Sequence, residues 1–113
     1  MKVRDLIEKP VTVTTEASVQ ECAKLMKKNK TDFLIVLENN KAVGIITTTD
    51  IVYRSVSLGN LNLKARDIMS CPLIVVFPDT DIDEAMEAMK NHKIKRLIVI
   101  DEKGELKGIV KYI

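Results

Sequence analysis

Thr47 and Asp50 stand three residues apart where Gly44-Ile45-Ile46-Thr47, an apolar run of strand composition, leads into a helical pattern. A carboxylate offers two acceptor oxygens and can hold two adjacent hydroxyls together. A strand end that leads into a helix N-terminus also presents unpaired N–H groups to an anion. The same carboxylate, or Thr49, could instead cap that helix, and spacing alone favours the cap. A second group with usable chemistry is His92-Lys93-Ile94-Lys95-Arg96. Arg96 leads it, because a guanidinium grips a phosphate through a two-pronged fork; Lys95 and His92 come second. A basic stretch at a helix C-terminus is also favoured by the helix dipole, so its charge does not by itself make a site. The lone His92 reads first as a helix-end residue.

Other chemistry is thinly supported. No Cys/His or Ser/His/Asp arrangement is visible, four glycines form no phosphate-cradling loop, and the single histidine has no catalytic partner. A non-enzyme is expected. Cys22 and Cys71 are isolated and offer no metal-ligand spacing, so they read as small buried hydrophobes and no metal site is expected. A formal charge of +2 with both signs interspersed argues against phosphate neutralisation along a nucleic acid. Lys27, Lys28, Lys30, Lys93, Lys95 and Arg96 could form a basic surface, but two Phe, two Tyr and no Trp leave little for base stacking. No run of eighteen apolar residues occurs, so no membrane span is expected. Met1-Lys2-Val3-Arg4-Asp5 lacks the apolar core of a secretory signal, and a cytoplasmic protein is expected.

The elements that must position these groups occur twice. Val3-Arg4-Asp5-Leu6-Ile7 aligns with Ala65-Arg66-Asp67-Ile68-Met69 at an offset of 62, which sets Pro10 on Pro72 and Val11-Thr12-Val13 on Leu73-Ile74-Val75. One residue inserted in the following loop moves the offset to 63, where Ser18-Val19-Gln20-Glu21 falls on Asp81-Ile82-Asp83-Glu84. Each copy thus opens a helix with a capping residue and a Glu three positions on, a spacing that lets the pair satisfy each other's backbone donors. Val19, Cys22, Ala23 and Met26, and again Ile82, Ala85, Met86 and Met89, recur at helical period as one apolar stripe per helix. The continuous apolar runs at 33–37 and 97–100 read as strands buried on both faces. Polar turns then lead to return strands at 43–46 and 106–110, which suits hairpins. Residues 51–59 read as a short helix stopped by Gly59, present only in the first copy, and 60–64 connect the copies. The fold class expected is α+β, built of strand–helix–strand–strand units: a first repeat over 1–59 and a C-terminally short second over 60–113, together one module.

In this order and twice over, these residues resemble the cystathionine-β-synthase (CBS) domain, which occurs in tandem pairs. The cues are the Arg-Asp-(Leu/Ile)-(Ile/Met) opening with Pro soon after, the helix, the hairpin and Gly44-Ile45-Ile46-Thr47-Thr48-Thr49-Asp50-Ile51, and they cover nearly the whole chain. The resemblance implies a tandem CBS pair, two pseudo-symmetric βαββ(α) repeats with small sheets packed on helices and ligand clefts between them. It implies a regulatory module sensing an adenosine compound (AMP, ADP, ATP or S-adenosylmethionine) with no other cofactor required. It also implies a homodimer shaped as a flat disc, and leaves room for a regulated protein partner.

Residue by residue, Gly44-Ile-Ile-Thr47-x-x-Asp50 matches the family's glycine–apolar–apolar–(Ser/Thr)-x-x-Asp element. By that resemblance Thr47 lies near ribose and phosphate, and Asp50 accepts from the ribose hydroxyls. Main-chain groups of Val11, Thr12 and Val13 would meet the adenine edge while apolar side chains sandwich the ring, and Ile46 would line the same pocket. Phosphate cations would come from the other repeat, with Arg96 first and Lys95 and His92 after it. Arg96 stands where the first copy has Phe33, so the halves are unequal. The second half departs from the pattern: Gly108-Ile109-Val110-Lys111 replaces the hydroxyl, and the match to Asp50 would be residue 114. Either this half carries no ribose site or the chain continues. Without a closing helix, Ile109, Val110 and Ile113 are expected to expose apolar surface, which favours homodimerisation. The competing readings are an interaction or dimerisation module with a vestigial cleft and, with weaker support, nucleic-acid binding.

Overall fold

The two long apolar runs become the middle strands of two three-stranded sheets. The computed structural model describes residues 1–71 and 74–113. In chain order these form a 3-10 turn Val3–Leu6, β1 Thr12–Thr14, α1 Val19–Asn29, β2 Phe33–Glu38, β3 Lys41–Thr47, α2 Thr48–Arg54, a 3-10 turn Val56–Leu58, α3 Ala65–Ile68, β4 Val75–Val76, α4 Ile82–His92, β5 Arg96–Ile100 and β6 Leu106–Lys111. This is the mixed α+β architecture the repeat predicts. Pro72 and Leu73, the second copy's counterparts of Pro10 and Val11 in the alignment, lie outside the described residues.

The sheets run β1-β2-β3 and β4-β5-β6, with the first two strands of each parallel. Val13 pairs with Val36, and Val76 pairs with Val99. These registers equate Val13 with Val76, where the alignment set it on Val75, so the inserted residue precedes the strand. Leu34, Ile35 and Val36 are fully buried, as are Leu97 and Val99 to within 1%. Continuous burial on both faces is what their unbroken Val/Ile/Leu composition requires.

Packing divides the chain into two compact units that do not follow the boundary between the repeats. One, here the α1 unit, holds Val11–Asn39 and, among the described residues, 43–71; the other, the α4 unit, holds Met1–Pro10, Asn40–Ala42 and Ile74–Ile113. The α1 core gathers Val13, Val19, Cys22, Met26, Leu34, Val36 and Ile46 with Ala65 and Ile68. The α4 core gathers Val76, Ala85, Met89, Leu97, Val99 and Val110 with Val3. Each repeat's lead segment therefore completes the core built by the other repeat's sheet.

The lead segments are held in the same way. Val3 N donates to Thr80 O (2.9 Å), Arg4 N to Pro78 O (3.0 Å) and Ile82 N to Met1 O (3.0 Å). In the α1 unit Ala65 N donates to Ala17 O (2.7 Å), Arg66 N to Thr15 O (3.1 Å) and Val19 N to Leu63 O (3.0 Å). Glu8 bridges to Ile109 as Ser70 bridges to Ile45. Asp5 and Asp67 reach back to the backbone N–H of Lys2 (3.0 Å) and Lys64 (2.9 Å), which explains the repeated Asp. The repeated Arg is explained too, since Arg4 pairs with Asp79 and Arg66 with Glu16.

This arrangement corrects several sequence expectations. Ile109 and Val110 are 2% and 1% exposed, because the N-terminal segment packs there; only Ile113 remains open, at 82%. The Ser18–Glu21 capping box forms, with Glu21 N donating to Ser18 Oγ at 3.1 Å and Ser18 N to Glu21 Oε1 at 3.4 Å. Asp81 holds the N-cap position of α4 but makes no capping hydrogen bond; its carboxylate takes the Lys2 ammonium at 2.6 Å. Ala23, placed on the stripe of α1, is exposed. The helix expected over 51–59 ends at Arg54, where buried Ser55 leaves helical geometry and donates its hydroxyl to Asn60 O at 2.6 Å. Gly59 does end the 3-10 turn that follows, at φ 65°. Cys22 is buried, and burial pushes its thiol pKa up, whereas Cys71 is exposed.

The lead-segment ion pairs predict a pH dependence. The hydrogen bond from Lys2 holds the Asp81 carboxyl below the ordinary carboxylate range, and that from Lys64, helped by Arg66, does the same for Glu16. A depressed folded-state pKa adds stability above the unfolded pKa, and that stability is lost as pH falls through the folded value. The thermal midpoint should drop on acidification from about pH 6 to about pH 3, and drop less in a Lys2→Met/Lys64→Met variant. Equal drops in both proteins would refute these pairs as the cause.

Candidate functional site

The candidate site lies where β3 passes into α2. Thr47 has extended backbone (φ −112°, ψ 168°), so the strand ends there and Thr47 becomes the N-cap. Its Oγ1 accepts from Asp50 N at 3.3 Å, and Asp50 Oδ2 accepts from Thr47 N at 2.9 Å and from Thr47 Oγ1 at 3.2 Å. The cap anticipated at Asp50 or Thr49 is thus formed by Thr47, with Asp50 as its reciprocal partner.

Asp50 is only 7% exposed, and a carboxylate so placed is tolerated when it is hydrogen-bonded and paired. Its second oxygen, Oδ1, accepts from Ser70 Oγ at 3.0 Å and lies 3.6 Å from Arg54 Nε. Arg54 also donates to Met69 O at 3.2 Å. Among the described residues, no buried side-chain polar atom lacks a partner.

The remaining expected site residues divide between the units. In the α1 unit Val11 O accepts from Ile35 N at 3.0 Å, so that carbonyl is used in the sheet, and Thr12 is exposed on β1. Val13 and Ile46 have their side chains in the core, at 7% and 0% exposure, rather than presented to solvent. In the α4 unit Lys95 is exposed, Arg96 opens β5 opposite Lys111, and the His92 ring Nδ1 lies 2.9 Å from Ala88 O within its own helix. Sequence reasoning missed Ser70 and Arg54. Arg54 was findable, since it stands four residues beyond Asp50 on an expected helix; Ser70 carries no local signal.

A groove of about 350 Å³ opens in the α1 unit, lined by Ala23, Met26, Lys27, Thr31, Thr48, Ile51 and Val52. Asp50 is not among its lining residues. Among the described residues, no helix is long and apolar enough to cross a membrane.

The CBS domain matches the chain twice, over residues 3–57 and 65–112. The chain belongs to the CBS-domain family. The CBS pair is 39% identical over 98 residues to an uncharacterized protein of Methanopyrus kandleri, covering 85% of this chain and 50% of that protein. It therefore spans half the length of that relative. Among solved structures it resembles a CBS domain protein from Pyrobaculum aerophilum complexed with AMP, at TM-score 0.84 and 25% identity over 98% of this chain and 87% of that one. It likewise resembles the CBS domain pair of protein MJ0100 in complex with 5-methylthioadenosine and S-adenosyl-L-methionine, at TM-score 0.84 and 26% identity over 98% and 92% of the two chains.

Proposed function

We propose that this CBS pair is a non-catalytic regulatory module that binds an adenosine-containing ligand, with Asp50 accepting hydrogen bonds from the ribose hydroxyls. The observation that carries this reading is the AMP complex of the Pyrobaculum protein, whose fold the chain matches over 98% of its length. The MJ0100 complex supports the same ligand class, with AMP, ADP, ATP and S-adenosylmethionine as the candidates. Asp50 suits the role because its carboxylate is fixed by Thr47, and a fixed acceptor loses little freedom on binding. A regulatory output requires the ligand to bind one arrangement of the protein better than another.

Calorimetry with AMP, ADP, ATP and S-adenosylmethionine is expected to find at least one ligand binding tighter than about 1 mM. Asp50→Ala should weaken that binding about tenfold or more. Asp50→Asn, which keeps an acceptor for the cap, separates loss of folding from loss of binding. Absence of binding by all four ligands would reject the proposal.

One observation favours an interaction or dimerisation module instead. Val52, Tyr53, Val56, Leu58 and Leu61 are all exposed, at 49–71%. A run of exposed apolar residues of this kind marks a contact surface more often than chance. A dimer whose dissociation constant is unmoved by any of the four ligands, together with no ligand binding, would support that reading.

A further inference from the structure

We propose that Asp50 is held by a clamp made of Ser70 and Arg54, and that ligand hydroxyls bind by displacing it. This rests on the assignment of Asp50 as the ribose acceptor. An ionised carboxylate has about four acceptor positions on its two oxygens. Three are hydrogen-bonded by the chain itself, Thr47 N and Thr47 Oγ1 on Oδ2 and Ser70 Oγ on Oδ1, and the Arg54 guanidinium stands at ion-pair distance, 3.6 Å, beside Oδ1. Two adjacent ligand hydroxyls need two of those positions, so binding is an exchange rather than an addition. The Thr47 N–H bond at 2.9 Å belongs to the cap of α2 and is the least replaceable. The Arg54 contact, at 3.6 Å from a half-exposed side chain, and the Ser70 hydroxyl lie together on the other oxygen and are the ones to yield.

What yields is mechanically placed. Ser70 exchanges two backbone hydrogen bonds with Ile45, at 2.8 and 3.2 Å, and Arg54 holds the carbonyl of Met69 at 3.2 Å. The clamp therefore ties Asp50 to residues 69–70, the end of the second repeat's lead segment. A ligand that takes Oδ1 releases the side-chain half of that tie. By reciprocity, whatever loosens the tie must strengthen ligand binding.

Ser70→Ala tests this with AMP as the probe. The variant should bind AMP about fivefold more tightly than the wild type, because no hydroxyl competes for Oδ1. Ser70→Thr, which restores a hydroxyl, should return affinity to the wild-type value. Hydrogen exchange at Ser70 should rise when AMP is added to the wild type and be insensitive to AMP in Ser70→Ala. A residue that merely supported the fold would weaken binding when truncated. Unchanged or weaker AMP binding in Ser70→Ala, while Asp50→Ala still weakens it about tenfold or more, would overturn the clamp and leave the ribose assignment standing. No AMP binding by the wild type would overturn the clamp together with the assignment beneath it.

Discussion

Gly108→Ala is expected to destabilise the protein by about 3 kcal/mol or more, and Gly44→Ala by about 1 to 2 kcal/mol. The two glycines occupy equivalent places in the repeats, each under the returning lead segment of the other copy. A Cβ on Gly108 would come within 2.6 Å of the Glu8 carbonyl oxygen, which the bridge to Ile109 holds in place. Gly108 also has φ +152°, a backbone geometry that residues with a Cβ seldom adopt. A Cβ on Gly44 would lie 2.5 Å from Met69 Sδ and 2.8 Å from Cγ, atoms of a side chain that can turn aside. Urea denaturation of the two variants measures the difference. Equal losses would sink the argument from the backbone carbonyl.

Removal of residues 1–9 should unfold the α4 unit while leaving the α1 unit protected. The cut takes away Val3, fully buried in the α4 core, together with Leu6 and Ile7 packed against it and the bridge of Glu8 to Ile109. A buried aliphatic side chain contributes about 1.5 to 3 kcal/mol, so the segment as a whole contributes about 5 kcal/mol, as large as the net stability of many domains. Hydrogen exchange is the measurement: amides of 97–100 and 108–110 should lose protection, and those of 34–36 should keep it. Undiminished protection at 97–100 in the shortened chain would show that the sheet does not depend on the segment.

The sequence made the repeat, the helices and the strands legible because each rests on local regularities. Helical period placed Val19, Cys22 and Met26 inside, and unbroken apolar runs placed Leu34 to Val36 and Leu97 to Val99 there. Partnership between distant segments was not legible. Nothing local to Val3 says that it completes a core with Leu97 and Val110, and so the burial of Ile109 and Val110 was missed. Asp81 shows the limit of motif reading: an Asp with a Glu three residues on is a sound capping signal, but an ammonium brought to 2.6 Å by the N-terminal segment outcompetes a backbone N–H. At the candidate site, spacing alone pointed to a helix cap at Asp50 or Thr49, and only the family resemblance made Thr47 and Asp50 a ligand element. That both carboxylate oxygens already accept hydrogen bonds was not legible, because Ser70 reaches Oδ1 from twenty residues away.

The crossed lead segments also set an order in time. Every described residue of the α1 unit is present in the growing chain once residue 71 is made. Residues 1–9 must instead wait for distant partners, Lys2 for Asp81 at a separation of 79 residues and Glu8 for Ile109 of β6, farther still. At about 5 to 20 residues per second, that is a delay of about 5 to 20 seconds during which Val3, Leu6 and Ile7 have no core to enter. Closing so long a loop is slow relative to forming the local helices and hairpins. A segment made before either sheet is thus among the last to be seated.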